Sequence, residues 1–246
     1  MTQGTTVVVT RAGHGPEVLL VHGGASPEHT WRGLEPLTAH WTLASMHRRG
    51  FPPSPPPRSG RGDFTEDAAD LAPLLVDRPH LVAHSYGGTG ALLATAEHPV
   101  RSLTLIEPAV HLLHDDREAE HLRKIGETAL AEGPRTDPET LRKFLRIAGS
   151  PVPDDGPLPD EVMAAVRRAH GTRSPYEAEL PLERLRELRI PVLVVSGGHC
   201  PPMERTMDAL AAALDAQRLV APGAGHFVAA APGFADQLDT FLSDVS

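Results

Sequence analysis

Apolar residues along this chain fall into short continuous runs, and between them lie stretches with helical spacing or clusters of proline, glycine and charge. That alternation is the signature of a mostly parallel, doubly wound sheet with helices on both faces. Strand-like runs occur at Thr6 to Thr10, Val18 to Val21, Trp41 to Met46, Leu81 to His84, Leu103 to Glu107, Pro191 to Gly198 and Gln217 to Val220. Gly13-His14-Gly15-Pro16 reads as the turn between the first two. Helical patterns cover Asp67 to Val76, Tyr86 to His98, Met203 to Leu214 and Phe234 to Phe241. The second of these carries Ala91, Ala94 and Ala96, as close packing on a sheet requires, and Pro99 ends it.

Residues 110–185 break the alternation. The segment is rich in histidine, charge and proline, has no strand-like run, and holds helical stretches at Glu118 to Ala131, Pro138 to Ile147 and Asp160 to Ala169. The expected organisation is therefore an α/β core from 1–109 and 186–246, interrupted by a helical insertion. Phe51-Pro52-Pro53-Ser54-Pro55-Pro56-Pro57 is the one low-complexity patch, and fixed proline φ angles predict an extended, stiff loop there.

The chemistry concentrates in three turns. In His80-Leu81-Val82-Ala83-His84-Ser85-Tyr86-Gly87-Gly88 an apolar strand delivers Ser85 into a glycine-flanked turn that opens a helix. Such a turn needs small residues two positions either side of the serine, and Ala83 and Gly87 supply them, Ala83 replacing the first glycine of Gly-x-Ser-x-Gly. Earlier, Glu17 to Val21 run into His22-Gly23-Gly24, a turn whose backbone N–H groups can face a developing oxyanion. Late in the chain, Ala221-Pro222-Gly223-Ala224-Gly225-His226-Phe227 follows a short strand and presents a histidine in a glycine-rich loop. A serine hydroxyl is a weak nucleophile at neutral pH, so it needs a base and a third group to hold that base.

With Gly24 and Tyr86 as candidate oxyanion donors, Ser85 as nucleophile and His226 as base, the chain resembles the α/β-hydrolase superfamily over nearly its whole length. The resemblance implies that segment 110–185 is a helical cap after the sixth family strand. It also implies an acid just past the seventh family strand, where Gly197-Gly198-His199-Cys200 places a cysteine instead. Some relatives, haloalkane dehalogenases among them, look similar in carrying the acid at the end of the preceding strand. Here that run, Leu103-Thr104-Leu105-Ile106-Glu107, ends in a carboxylate, so Glu107 is the expected partner of His226, with Glu204 and Asp208 as rivals.

Other residues have blander readings. His111, His114, Asp115, Asp116 and His121 could bind zinc, although a solvated helix accounts for them. Cys200 reads as a small buried side chain, and the side chains of His84 and Tyr86 as packing or pocket lining. Trp31, Arg48 and Arg49 lie in loops at the carboxyl edge of the sheet, where they either touch a ligand or cover the core.

The net charge of -9 with no basic block argues against nucleic acid, and a single cysteine allows no intrachain disulfide. Met1 to Val9 lack a charged leader and are too short for a signal or membrane segment, so a cytoplasmic protein is expected. The reading is a serine hydrolase of a small to medium-sized ester, thioester, lactone or amide, needing neither metal nor organic cofactor. Two alternatives stand beside it: elimination, cyclisation or C–C cleavage on the same fold, and a ligand-binding protein without turnover.

Overall fold

The computed structural model describes residues 6–150 and 152–245. Its strands are β1 Val9–Gly13, β2 Glu17–Val21, β3 Thr42–Met46, β4 His80–His84, β5 Ser102–Ile106, β6 Val192–Ser196 and β7 Gln217–Val220. They form one sheet in the order β1-β3-β2-β4-β5-β6-β7. Only β1 runs antiparallel to its neighbour.

Every residue of β4, β5 and β6 is buried, as parallel strands covered on both faces must be. Side chains alternate between two apolar layers. Leu19, Val21, Leu81, Ala83, Leu103, Leu105, Val192 and Val194 join one, while Val18, Leu20, Val82, Ile106, Leu193 and Val195 join the other.

The α-helices are α1 Pro27–Thr30, α2 Phe64–Leu71, α3 Tyr86–Glu97, α4 Arg117–Glu132, α5 Pro138–Ile147, α6 Asp160–Ala169, α7 Leu182–Glu187, α8 Pro201–Leu214 and α9 Phe234–Asp244. Helices α3 and α8 cover the first layer, and α9 with the Trp31 to Trp41 region covers the second. Between β5 and β6, α4, α5 and α6 share a separate small cluster of Ala129, Leu141, Leu145, Val162 and Val166. Leu185 of α7 belongs instead to the sheet's first layer.

Three expectations need correction. The first strand begins at Val9 and extends through Gly13 rather than spanning Thr6 to Thr10. As an edge strand it is largely exposed, so the buried Val7 lies outside the ladder. The second helix starts at Phe64, because Asp63 accepts from the Thr65 N–H and caps it there; beyond Leu71 it tightens into a 3₁₀ turn at Ala72–Leu74. The proline-rich loop is not extended. Gly50 N–H donates to the Pro55 carbonyl and Ser54 N–H to that of Phe51, and Ser54 Oγ bridges the His47 carbonyl and the Val8 N–H.

Candidate active site

Ser85 stands between β4 and α3 with φ 52° and ψ −126°, a conformation that costs a non-glycine residue about 1–3 kcal/mol. The surroundings enforce it. Ser85 N–H donates to the Ile106 carbonyl at 3.0 Å, and the Ser85 carbonyl accepts from Gly88 N–H at 2.9 Å and Ala109 N–H at 3.0 Å. A Cβ on Gly87 would lie 2.4 Å from the His22 carbonyl oxygen, so the strand and helix approach too closely for any side chain there. The extra methyl of Ala83 is absorbed, fully buried, in the first apolar layer.

The His22-Gly23-Gly24 turn lies directly against this elbow. A Cβ on Gly23 would stand 2.7 Å from Ser85 Cβ and 3.2 Å from its Oγ. Gly23→Ala is therefore expected to displace the serine and cost about 1–3 kcal/mol of stability, read as a lower denaturant midpoint and loss of activity.

The Gly23 carbonyl accepts from Arg48 Nη1 at 2.8 Å, with His22 Nδ1 at 3.1 Å. In a trans peptide C=O and N–H point oppositely, so these contacts turn the Gly24 N–H away from Arg48. His22 is fixed in turn: Nδ1–H donates to the Ala25 carbonyl at 2.7 Å and Nε2 accepts from the Arg48 N–H at 3.1 Å. Burial and the Arg48 charge push the His22 pKa well down, which keeps that neutral tautomer. Among the described residues, neither the Gly24 nor the Tyr86 N–H meets a protein acceptor.

Glu107 follows β5 with φ 41°, its N–H donating to the Val195 carbonyl at 2.9 Å. Its carboxylate is buried. Oε1 accepts from the Gly197 N–H at 2.8 Å, and Oε2 lies 2.6 Å from His226 Nδ1. Burial alone would raise the carboxyl pKa, but the imidazoles of His199 and His226 and the Gly197 N–H overturn that, bringing it down to about 2. The glycines make the approach possible, since a Cβ on Gly197 would collide with Gly225 of the loop that carries His226.

The ring of His226 packs 4.5 Å from that of His84, the residue before Ser85, and its carbonyl accepts from His84 Nε2 at 2.9 Å. No hydrogen bond joins Ser85 Oγ to His226 among the described residues; in ligand-free sites such bonds are commonly long and tighten around substrate.

The rivals are engaged elsewhere. Glu204 holds Gly198 N–H and Arg218, and Asp208 pairs with Arg218 Nε at 2.9 Å. Asp116 caps α4 and binds Arg205, while His121 meets Lys143. Cys200 is buried at the start of α8. Trp31 is buried, and Arg48 and Arg49 form buried ion pairs with Asp67 and Asp70, each at 2.6 Å. Arg48 therefore braces the turn beside the serine, and Arg49 ties the chain after β3 to α2.

Sequence reasoning missed two participants, His199 and Gly149, and left Arg48 between touching a ligand and covering the core. Arg48 orients the Gly23–Gly24 peptide, and the doubled arginine after β3 was its only signal. His199 stands 3.4 Å from Glu107 Oε1. Gly149, with φ 72°, seats the turn after α5 on His226 and Phe227, where a Cβ would lie 3.0 Å from the His226 Cβ and 3.0 Å from the Phe227 ring.

A family profile described as the alpha/beta hydrolase family matches residues 18–236, and the chain belongs to that family. Among curated relatives, a pimeloyl-acyl-carrier-protein methyl ester esterase of Aeromonas hydrophila is 31% identical over 107 residues, 42% of this chain and 41% of that protein. The chain thus matches less than half the length of that relative. Among solved structures, a bacterial membrane phospholipase A superposes with a TM-score of 0.69 at 25% identity, covering 97% of this chain and 83% of the other. A thermophilic esterase from Thermogutta terrifontis has the same TM-score at 23% identity, with 97% and 93% covered, a likeness of fold.

Proposed function

We propose that the protein is a serine hydrolase of carboxylic esters acting through an acyl-Ser85 intermediate. The observation that carries this reading is the buried Glu107–His226 contact at 2.6 Å beside the strained serine turn. Ser85 Oγ attacks the carbonyl carbon as its proton passes to His226 Nε2, and Glu107, held ionised, stabilises the imidazolium. The negative charge moves to the carbonyl oxygen, where the Gly24 and Tyr86 N–H groups receive it; one such donor is typically worth about 10²–10³ in kcat. His226 returns the proton to the departing alcohol, and water activated on the same nitrogen then releases the acid and restores Ser85. The similarity to an esterase and a phospholipase supports an ester over an amide.

In this reading segment 110–185 is a cap over the serine. It reaches the site at three points: Gly149 on His226, the Ile147 carbonyl on His199, and the Arg173 carbonyl, which accepts from Tyr86 Oη at 2.9 Å. With only a small cluster of its own, it is expected to exchange amide hydrogens faster than β4, β5 and β6; uniform protection across both would count against the cap. No helix of the described residues is long and apolar enough to cross a membrane.

The test is hydrolysis of short p-nitrophenyl esters together with labelling by a fluorophosphonate. Rapid labelling mapped to Ser85 is expected. Ester turnover without labelling would favour a serine-independent hydrolysis, and the absence of both would favour a non-hydrolytic enzyme or a binding protein.

A further inference from the structure

Two imidazoles flank His226, and their settings differ in kind. His84 Nε2 faces the His226 carbonyl, which only accepts, so that nitrogen carries the proton; His84 Nδ1 is buried without a partner. Burial and the neighbouring His226 hold the His84 pKa down to about 3, so it stays neutral.

His199 has the same constraint at one end and a carboxylate at the other. Its Nε2 lies 3.1 Å from the Ile147 carbonyl at the end of α5, so Nε2 again carries a proton. Its Nδ1 is buried, makes no hydrogen bond, and stands 3.4 Å from Glu107 Oε1. A neutral ring held this way would point a bare lone pair at a carboxylate oxygen. Only the protonated ring offers a donor to both.

We propose that His199 is a positioning residue for the Glu107–His226 pair, a charged imidazole on the second oxygen of the carboxylate that ties it to the end of α5 and weakens proton binding by His226. The role assigned to His226 rests on the hydrolase reading above; the proton coupling between the two rings does not.

The groups that face His199 agree. Glu107 comes from the end of β5, Glu204 from α8 with its charge shared by Arg218, and His226 from the loop after β7 with ring centroids 6.4 Å apart; α5 presents a carbonyl. The adjacent Cys200 thiol is pushed up by burial and stays neutral. The attraction of the Glu107 carboxylate outweighs burial and raises the His199 pKa above the ordinary value of 6.5. Across 6.4 Å a second positive charge opposes the first by an amount equivalent to about one pH unit in partly solvated protein. The sign follows directly. A charged His199 opposes a second positive charge on His226, so its loss moves the acidic limb of kcat/KM to higher pH.

The experiment is an NMR titration of the carbon-bound imidazole protons in wild type, His199→Gln and His199→Arg, paired with kcat/KM profiles for p-nitrophenyl acetate. In wild type the His199 midpoint is expected above 6.5. In His199→Gln the His226 midpoint and the acidic limb should both rise by about one unit. His199→Arg, carrying a permanent charge, should keep both near wild type. A structural role limited to the Ile147 contact would move neither. An unchanged His226 midpoint in His199→Gln, or a wild-type His199 midpoint below 6.5, overturns the proposal, and the second reading needs no variant to fold. A shifted midpoint with an unmoved activity profile would leave the coupling standing and sink the role of His226 as base.

Discussion

Ser85→Ala is expected to lower kcat for a short p-nitrophenyl ester by about three orders of magnitude or more, with KM nearly unchanged. The reason is local. Ser85 Oγ takes part in no hydrogen bond among the described residues, while the backbone bonds to Ile106, Gly88 and Ala109 hold the turn regardless of side chain. Alanine can occupy the strained φ of 52° at the same cost as serine, so folding and melting temperature should stay close to wild type. His226→Ala should fall about as far, and the double variant little further, because the two groups act as one unit. Fluorophosphonate labelling should vanish in Ser85→Ala. A variant with a tenth of wild-type activity would remove Ser85 as nucleophile.

Glu107→Gln is expected to keep the fold and lose about 10³–10⁴ in kcat. The amide matches the carboxylate in size, and its oxygen can still accept from the Gly197 N–H. Its NH₂ would then face His226 Nδ1, favouring the wrong tautomer and removing the charge that stabilises the imidazolium. The substitution also has a signature in acid. Because the folded pKa of Glu107 is about 2 against an ordinary 4.5, its ionisation contributes stability that is complete above pH 4.5 and lost as pH falls toward 2. Wild type should therefore lose stability through that window faster than Glu107→Gln, measured as denaturant midpoints at several pH values. Full activity in the variant would move the acid elsewhere. Asp208→Asn, at a residue that pairs with Arg218 on an exposed helix face, should remain near wild type.

The central strands were legible because burial on both faces leaves them continuously apolar, and the helices against them because their small residues and proline stops follow from close packing. Glu107 could be singled out because a carboxylate at the end of such a run is costly unless something holds it; the structure supplies Gly197, His199 and His226. The edge strand β1 was misplaced because its ladder residues face water and carry no apolar pattern. The proline loop was misread because its shape is set by Ser54 bonding to Val8 and His47, contacts remote in sequence. His199 and Arg48 were opaque for the same reason: their partners, Ile147 and Glu107 for one, Asp67 and Gly23 for the other, lie far along the chain or across a turn.

Ser85 and Glu107 each extend the sheet ladder one residue past a strand, the first bonded to Ile106 and the second to Val195. Their spacing is thus inherited from neighbouring strands, while helices α4, α5 and α6 answer to a different, smaller cluster. Under mutation these two layers carry separate histories. On the proposed reading of these helices as a cap, drift among α4, α5 and α6 changes which molecules are admitted without reopening the geometry beneath, provided glycine remains at 149. A lineage built this way can alter its diet over many generations and leave its reaction in place.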